Sequence, residues 1–288
     1  MIYYLVTERH QKTLTRWLAH FRSRWQGRFV LLPYEQLSGC LEPGVFIFSD
    51  YERLTPWLRR KAVNMHQNAL NAGCVVLNDP QKSLLRYDLQ KALNNAFRVF
   101  RPHEIPEDLR FPVFVRGEND HRGNRSPLLH TREKLDLYLA NFPNLLTVEF
   151  VDTSNEYGLF RKYGATRIGD RIMPNHLLVS KAWMVKNDRA LITAEFLEEE
   201  MEYLRNADHA EQLRKYFDQA KCEYGRIDYS FLDGEIQVWE INSNPDIDPT
   251  NLDAQQIPIF QLCHKHINDA FEALDARSSG QSQKVWCE

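Results

Sequence analysis

The residues best equipped for chemistry lie between Gly225 and Pro249, in the stretch GRIDYSFLDGEIQVWEINSNPDIDP. Asp228, Glu240 and Asn242 offer two carboxylates and an amide oxygen. Hard oxygen ligands of this kind suit Mg2+, which is usually held by one or two carboxylates plus substrate phosphates. The three can act together only if two strands bring them side by side. Two apolar-alternating runs flank Asp233-Gly234, a hairpin-turn dipeptide. Ile227, Tyr229 and Phe231 fall on one face of the first run, and Trp239 and Ile241 on one face of the second. Asp228, Glu240 and Asn242 fall on the opposite faces. Register decides whether they meet. A two-residue turn pairs Asp228 with Trp239 and sets a carboxylate beside apolar side chains; a longer turn, or one bulge, pairs it with Glu240. The longer turn is expected, because it aligns both faces at once. The competing account is a surface hairpin with an acidic solvent face. Against it stands Glu240-Ile-Asn242-Ser-Asn-Pro245, where the strand runs straight into a turn that holds its last polar side chains at a strand end.

The rest of the chain must supply a frame for this hairpin. Its 288 residues allow two domains, and 43% apolar with 26% charged residues is ordinary for a soluble globular protein. A net charge of −3 with scattered Lys and Arg argues against duplex nucleic acid as partner. Five cysteines, none in a CxxC pair, fit a reduced, cytoplasmic setting. The N-terminal residues lack the pattern of a signal peptide, and no apolar run reaches membrane-spanning length. Short apolar runs at Ile2–Thr7, Phe29–Leu32, Val45–Phe48 and Cys74–Leu77 alternate with helical patterns, so residues 1–80 read as a small open parallel α/β domain. Thr55-Pro56 starts one of these helices and Gly73 ends it. After Asn78-Asp79-Pro80 a helix is expected over Gln81–Phe97. A strand over Phe111–Arg116 then delivers a cation into the loop Gly117–Gly123, which carries His121. Further strands are expected at Leu145–Val151 and in a hairpin, Phe160–Ile168 with Arg171–Val179, turning at Gly169-Asp170. Alternation puts Arg161 and Arg167 on one side of that hairpin and Lys162 on the other. Helices follow at Ala194–Arg205, His209–Glu223 and Pro258–Leu274, and residues 277–288 read as a frayed end. Cys263 and His266 lie one helical turn apart, with no second pair to complete a metal site.

Asp228, then Glu240-x-Asn242 and Pro245 on the next strand, resembles the metal-binding signature of the ATP-grasp superfamily. The resemblance runs from about Asn78 to Pro249, sharpest at that hairpin and next at the Arg116 strand. It implies an α/β chain: a small N-terminal domain (1–80), a two-lobed ATP-grasp domain (81–276) and a phosphate lid near 113–125. It further implies ATP and two Mg2+ ions, the metals on Asp228, Glu240 and Asn242. Arg116 stands where a phosphate-binding lysine is more usual. Backbone around Glu149, Phe150 and Val151 is implied to bind adenine, and Glu156, with Asp152 as second choice, the ribose. Arg161 and His176 are the catalytic candidates for contact with phosphates or the acyl intermediate, and His121 is the candidate for phosphate contact or proton transfer. Two departures stand out. Leu89 occupies a position where relatives often carry a phosphate-binding lysine, so that Arg86 or Lys91 replaces it or the contact is absent. Asp246 occupies a position where many members have glycine. The implied reaction is carboxylate–amine ligation on small-molecule or peptide substrates, without nucleic acid or membrane partners and compatible with a homo-oligomer. A small-molecule kinase and a nucleotide-binding module without turnover are the alternatives.

Overall fold

The structure, a computed structural model, describes residues 1–119, 126–206, 208–247, 253–277 and 284–287. The chain opens with the wholly buried strand β1 (Ile2–Val6), two helices, α1 (Lys12–His20) and α2 (Arg22–Trp25), and strand β2 (Phe29–Pro33). A short β3 (Gly39–Leu41) precedes β4 (Val45–Phe48), α3 (Pro56–Asn71) and β5 (Val75–Leu77). The four longer-range strands form a parallel sheet in the order β2-β1-β4-β5, as alternating strands and helices require. The start of α3 is fixed by the Thr55 hydroxyl, which accepts from the Leu58 N–H at 3.3 Å, with Pro56 in the first turn. Gly73 leaves the helix with φ +75, a conformation glycine adopts without strain.

Asn78 joins this sheet to the rest of the molecule. Its backbone is left-handed (φ 63), a region asparagine tolerates better than most residues. The buried side chain donates to Phe48 O (3.0 Å) and Tyr224 O (2.8 Å) and accepts from Glu223 N (2.8 Å) and Tyr224 N (3.0 Å). The helix expected over Gln81–Phe97 is shorter, α4 (Arg86–Ala92). Beyond it Asn95 turns to the backbone of Val238, accepting at 3.0 Å and donating at 3.1 Å, and Ala96 N donates to Gln237 (2.7 Å). These bonds hold residues 95–96 against a strand. Next come β6 (Val99–Phe100), β7 (Val113–Gly117), α5 (Arg132–Asn141) and β8 (Leu145–Glu149), forming a three-stranded antiparallel sheet in the order β6-β8-β7.

The last section contains β9 (Phe160–Ile168), β10 (Arg171–Ser180), α6 (Ala194–Arg205), α7 (Ala210–Ala220), β11 (Tyr224–Leu232), β12 (Glu235–Asn242) and α8 (Ile257–Ala276). Its strands make an antiparallel sheet ordered β10-β9-β11-β12. The long helix α8 shares one buried cluster with the parallel sheet and with β9 and β11, through Phe271, Ile267, Tyr4, Trp17, Ile168 and Tyr224. The Trp25 indole donates to Asn268 at 2.7 Å in the same region. Within the stretch expected to fray, β13 (Val285–Cys287) pairs antiparallel with β3, and Val285 is buried. Among the described residues no helix is long and apolar enough to cross a membrane.

Candidate active site

The β11–β12 hairpin turns in two residues, not three. Asp233 and Gly234 both have positive φ (50 and 80), and Leu232 pairs with Glu235 across them. Register is instead adjusted by a bulge: Tyr229 faces Val238, whereas Asp228 faces Glu240 and Arg226 faces Asn242. The extra residue is Trp239, which leaves the apolar face assigned to it by alternation. Its ring stacks on Phe97 (5.2 Å) and its indole N–H donates to Ser230 Oγ at 2.8 Å. Ile227, Tyr229, Ile236 and Val238 remain in the core behind.

The bulge places Asp228, Glu240, Asn242 and Trp239 on a cavity of about 460 Å3. Its polar end also carries Arg116, Lys162 and Arg226; its apolar end is walled by Phe114, Phe150, Val151, Trp183 and Met184. Asp228 is buried, and burial alone would raise its carboxyl; Lys162 (Nζ 3.0 Å) and Arg226 (Nε 3.0 Å) outweigh that and hold it well below the usual range. Glu240 is bonded by Arg86 and by Arg116 (3.2 Å), and Arg86 also reaches Glu118 O at 2.8 Å. His176 lies beneath, its Nε2 4.0 Å from Asp228. Burial, then the charge of Arg226, pushes its imidazole down to about 3. The ring sits on Gly164, where a Cβ would come within 2.3 Å of it.

Of the residues singled out by sequence, Arg116, Glu149, Phe150, Val151, Asp228, Glu240 and Asn242 meet at this cavity. Glu149 does so without a usable side chain, since its carboxylate is buried between Arg98 and Arg110. Arg161 does not reach it; the guanidinium points away and pairs with Glu199 (2.6 Å), because alternation sends its neighbour Lys162 inward instead. His176 lies behind Asp228 rather than on the cavity wall. Glu156 is exposed and outside the cavity, whereas Asp188 is on its wall. His121 falls outside the described residues. Leu89 is buried in the core beside Phe217 and Ala220, and Arg86 takes the place at Glu240; Lys91 lies over the Phe100 ring, 5.6 Å away. Asp246 pairs with Arg16 (3.3 Å) and is about half exposed. Cys263 donates to Asn175 O (2.9 Å). Arg226 was not singled out by sequence, although its position two before Asp228 puts both on one strand face. Trp183, in an irregular stretch, carries no periodic signal.

Asp228, Glu240 and the Asn242 amide suit Mg2+ chemically, since the ion takes few protein ligands and completes its shell with water and phosphate oxygen. Asn242 Oδ1 accepts from Asn244 N (2.9 Å), which fixes the amide and leaves a lone pair available. Among the described residues no group of three His, Cys, Asp or Glu could hold a metal ion, so the amide oxygen and phosphates would have to complete such a site.

No protein-family model matches the chain, and no curated protein is similar to it in sequence. Solved structures do match. D-alanine–D-alanine ligase from Bacillus anthracis, in complex with ATP, is similar over 96% of this chain and 98% of its own, with TM-score 0.56 and 11% identity. The D-alanine–D-alanine ligase from Coxiella burnetii is similar over 98% of this chain and 97% of its own, with TM-score 0.55 and 10% identity. The chain therefore has the ATP-grasp fold.

Proposed function

We propose that the protein is an ATP-dependent carboxylate–amine ligase. The observation that carries this reading is the polarity of one cavity: aromatic walls at one end, and Asp228, Glu240 and Asn242 amid Arg116, Lys162 and Arg226 at the other. A base fits the first and a triphosphate with Mg2+ the second. The likeness to ligases over nearly the whole chain supports the same class. Five free cysteines fit the cytoplasm as its location.

In the proposed reaction a substrate carboxylate oxygen attacks the γ-phosphorus of ATP, giving an acyl phosphate and ADP. An amine nitrogen then attacks the acyl carbon, phosphate leaves and the nitrogen gives up a proton. Bound Mg2+ would neutralise charge on the transferring phosphoryl group, held by Asp228, Glu240 and Asn242. Lys162 and Arg226 lie 3.0 Å from Asp228, so they are set to bind phosphate oxygens beside it. Arg116 does the same at Glu240, with Arg86 bonding that carboxylate from behind the cavity wall. Positioning and fixed charge suffice for this chemistry, so no protein nucleophile is assigned.

The test is ADP release from Mg-ATP measured with pools of amino acids, peptides and small acids. Release that depends on both an acid and an amine, with free phosphate in equal amount, is the expected result. Phosphate retained on the product would make the protein a kinase. Nucleotide protection against unfolding without turnover across the panel would make it a binding module.

A further inference from the structure

Glu149 ends β8, immediately before the two hinge residues, Phe150 and Val151, that line the apolar end of the cavity. Its carboxylate is sealed from solvent and accepts from both arginines that flank it. Arg98 gives its backbone N–H (3.0 Å), Nε (2.9 Å) and Nη2 (2.6 Å). Arg110 gives its backbone N–H and Nε, each at 3.0 Å. The backbone is tied at the same point, Glu149 N donating to Arg98 O and Phe150 N to Pro112 O, both at 3.0 Å. The entry to β6, the entry to β7 and the exit of β8 thus converge on one side chain. Phe150 has committed its N–H to Pro112, whereas no partner for the Val151 N–H is found among the described residues.

From this convergence we infer that Glu149 is a positioning residue for the nucleotide base: its carboxylate, gripped by Arg98 and Arg110, fixes the hinge so that the Val151 backbone faces the cavity to bond the base edge. A backbone donor recognises a base only when held in place beforehand, because an amide free to move loses the entropy of fixing it on binding. Charge-assisted bonds to two arginines provide that rigidity. Burial would raise the Glu149 carboxyl, but the bonds from Arg98 and Arg110 overcome it and bring it down to about 2, so the grip is intact throughout the neutral range. The phosphate end owes nothing to Glu149, since its cations come from Lys162, Arg226, Arg86 and Arg116.

This inference rests on the nucleotide reading of the cavity, and the two can fail separately. Calorimetric titration of the full chain at pH 7.5 with Mg-ATP and with Mg-tripolyphosphate, which lacks base and ribose, separates them. Glu149→Gln is expected to weaken ATP about tenfold or more while tripolyphosphate stays within about twofold. Arg110→Met, which keeps the Arg98–Glu149 pair, is expected to give a smaller loss of the same selective kind and guards against poor folding of the first variant. If both ligands weaken in parallel, Glu149 supports the fold alone and the inference falls. Unchanged ATP affinity in both variants also overturns it. Failure of the wild-type chain to bind ATP would instead defeat the nucleotide reading itself.

Discussion

Glu149 and Glu240 are both held by two arginines, yet they stand in opposite relations to the cavity. Glu149 is closed off, its side chain 1% exposed and bonded by Arg98 and Arg110, neither of which lines the cavity. Glu240 is 17% exposed, and of its partners Arg86 and Arg116 the latter lines the cavity with it, where an anionic ligand could take it over. A buried ion pair by itself says little about function. What distinguishes the two is whether the charges are already spent on each other or remain open to exchange. Glu149 has its donors from segments it must hold together. Under the proposed function, Glu240 has a donor in Arg116 that phosphate would satisfy equally well, leaving the carboxylate to a metal. Glu200 adds a third case: a buried glutamate that, among the described residues, accepts only from Leu177 N (3.1 Å) and has no arginine paired with it.

The sharpest way to break this contrast is Glu240→Ala. Turnover, read as ADP release, should fall by on the order of a thousandfold or more while the thermal midpoint changes little. Retained turnover would mean that Glu240, like Glu149, only holds structure.

Glu149 and Glu200 should differ in the sign of their pH dependence. The Glu149 carboxyl is lowered to about 2, so its contribution is complete above the ordinary carboxylate pKa and is lost as pH falls from about 4.5 toward 2. In urea unfolding, wild type should lead Glu149→Gln by up to about 3 kcal/mol at pH 7, the lead shrinking in acid. Burial pushes Glu200 up to about 7, so its protonated form suits the fold below about 4.5 and stability is lost as pH rises through 7. Glu200→Gln should therefore unfold later than wild type at pH 8, by up to about 3 kcal/mol, with the gain gone at pH 4. Parallel pH curves for the two variants would refute the distinction.

The smallest effects concern adjacent cations. Lys162→Met should cut turnover about a hundredfold, and Arg161→Met, facing Glu199, by no more than about twofold. The reverse order would place the strand the other way round in the working protein.

Much of this site was legible in the chain. Local chemistry set the Asp233-Gly234 turn, the alternation separating Arg161 from Lys162, the Thr55 cap and the strand–helix alternation of the N-terminal sheet, because each depends on neighbouring residues alone. The Asp228–Glu240–Asn242 constellation was also readable, since it lies within one hairpin. The route to its register was not. A bulge at Trp239 substitutes for a longer turn, and Trp239 finds its partner in Phe97, far along the chain. The shortened α4 has the same origin, because Asn95 bonds a strand more than a hundred residues away. Which cations meet which carboxylates was decided by contacts far apart in sequence: Arg86 from α4 and Arg116 from the β6-β8-β7 sheet at Glu240, Lys162 from the neighbouring strand at Asp228. So was the fate of Glu149, whose acidic-aromatic neighbourhood gives no sign that Arg98 and Arg110 would consume its charge. Residue type and spacing determine what a segment can present. Only long-range contact decides which groups are left unspent to act.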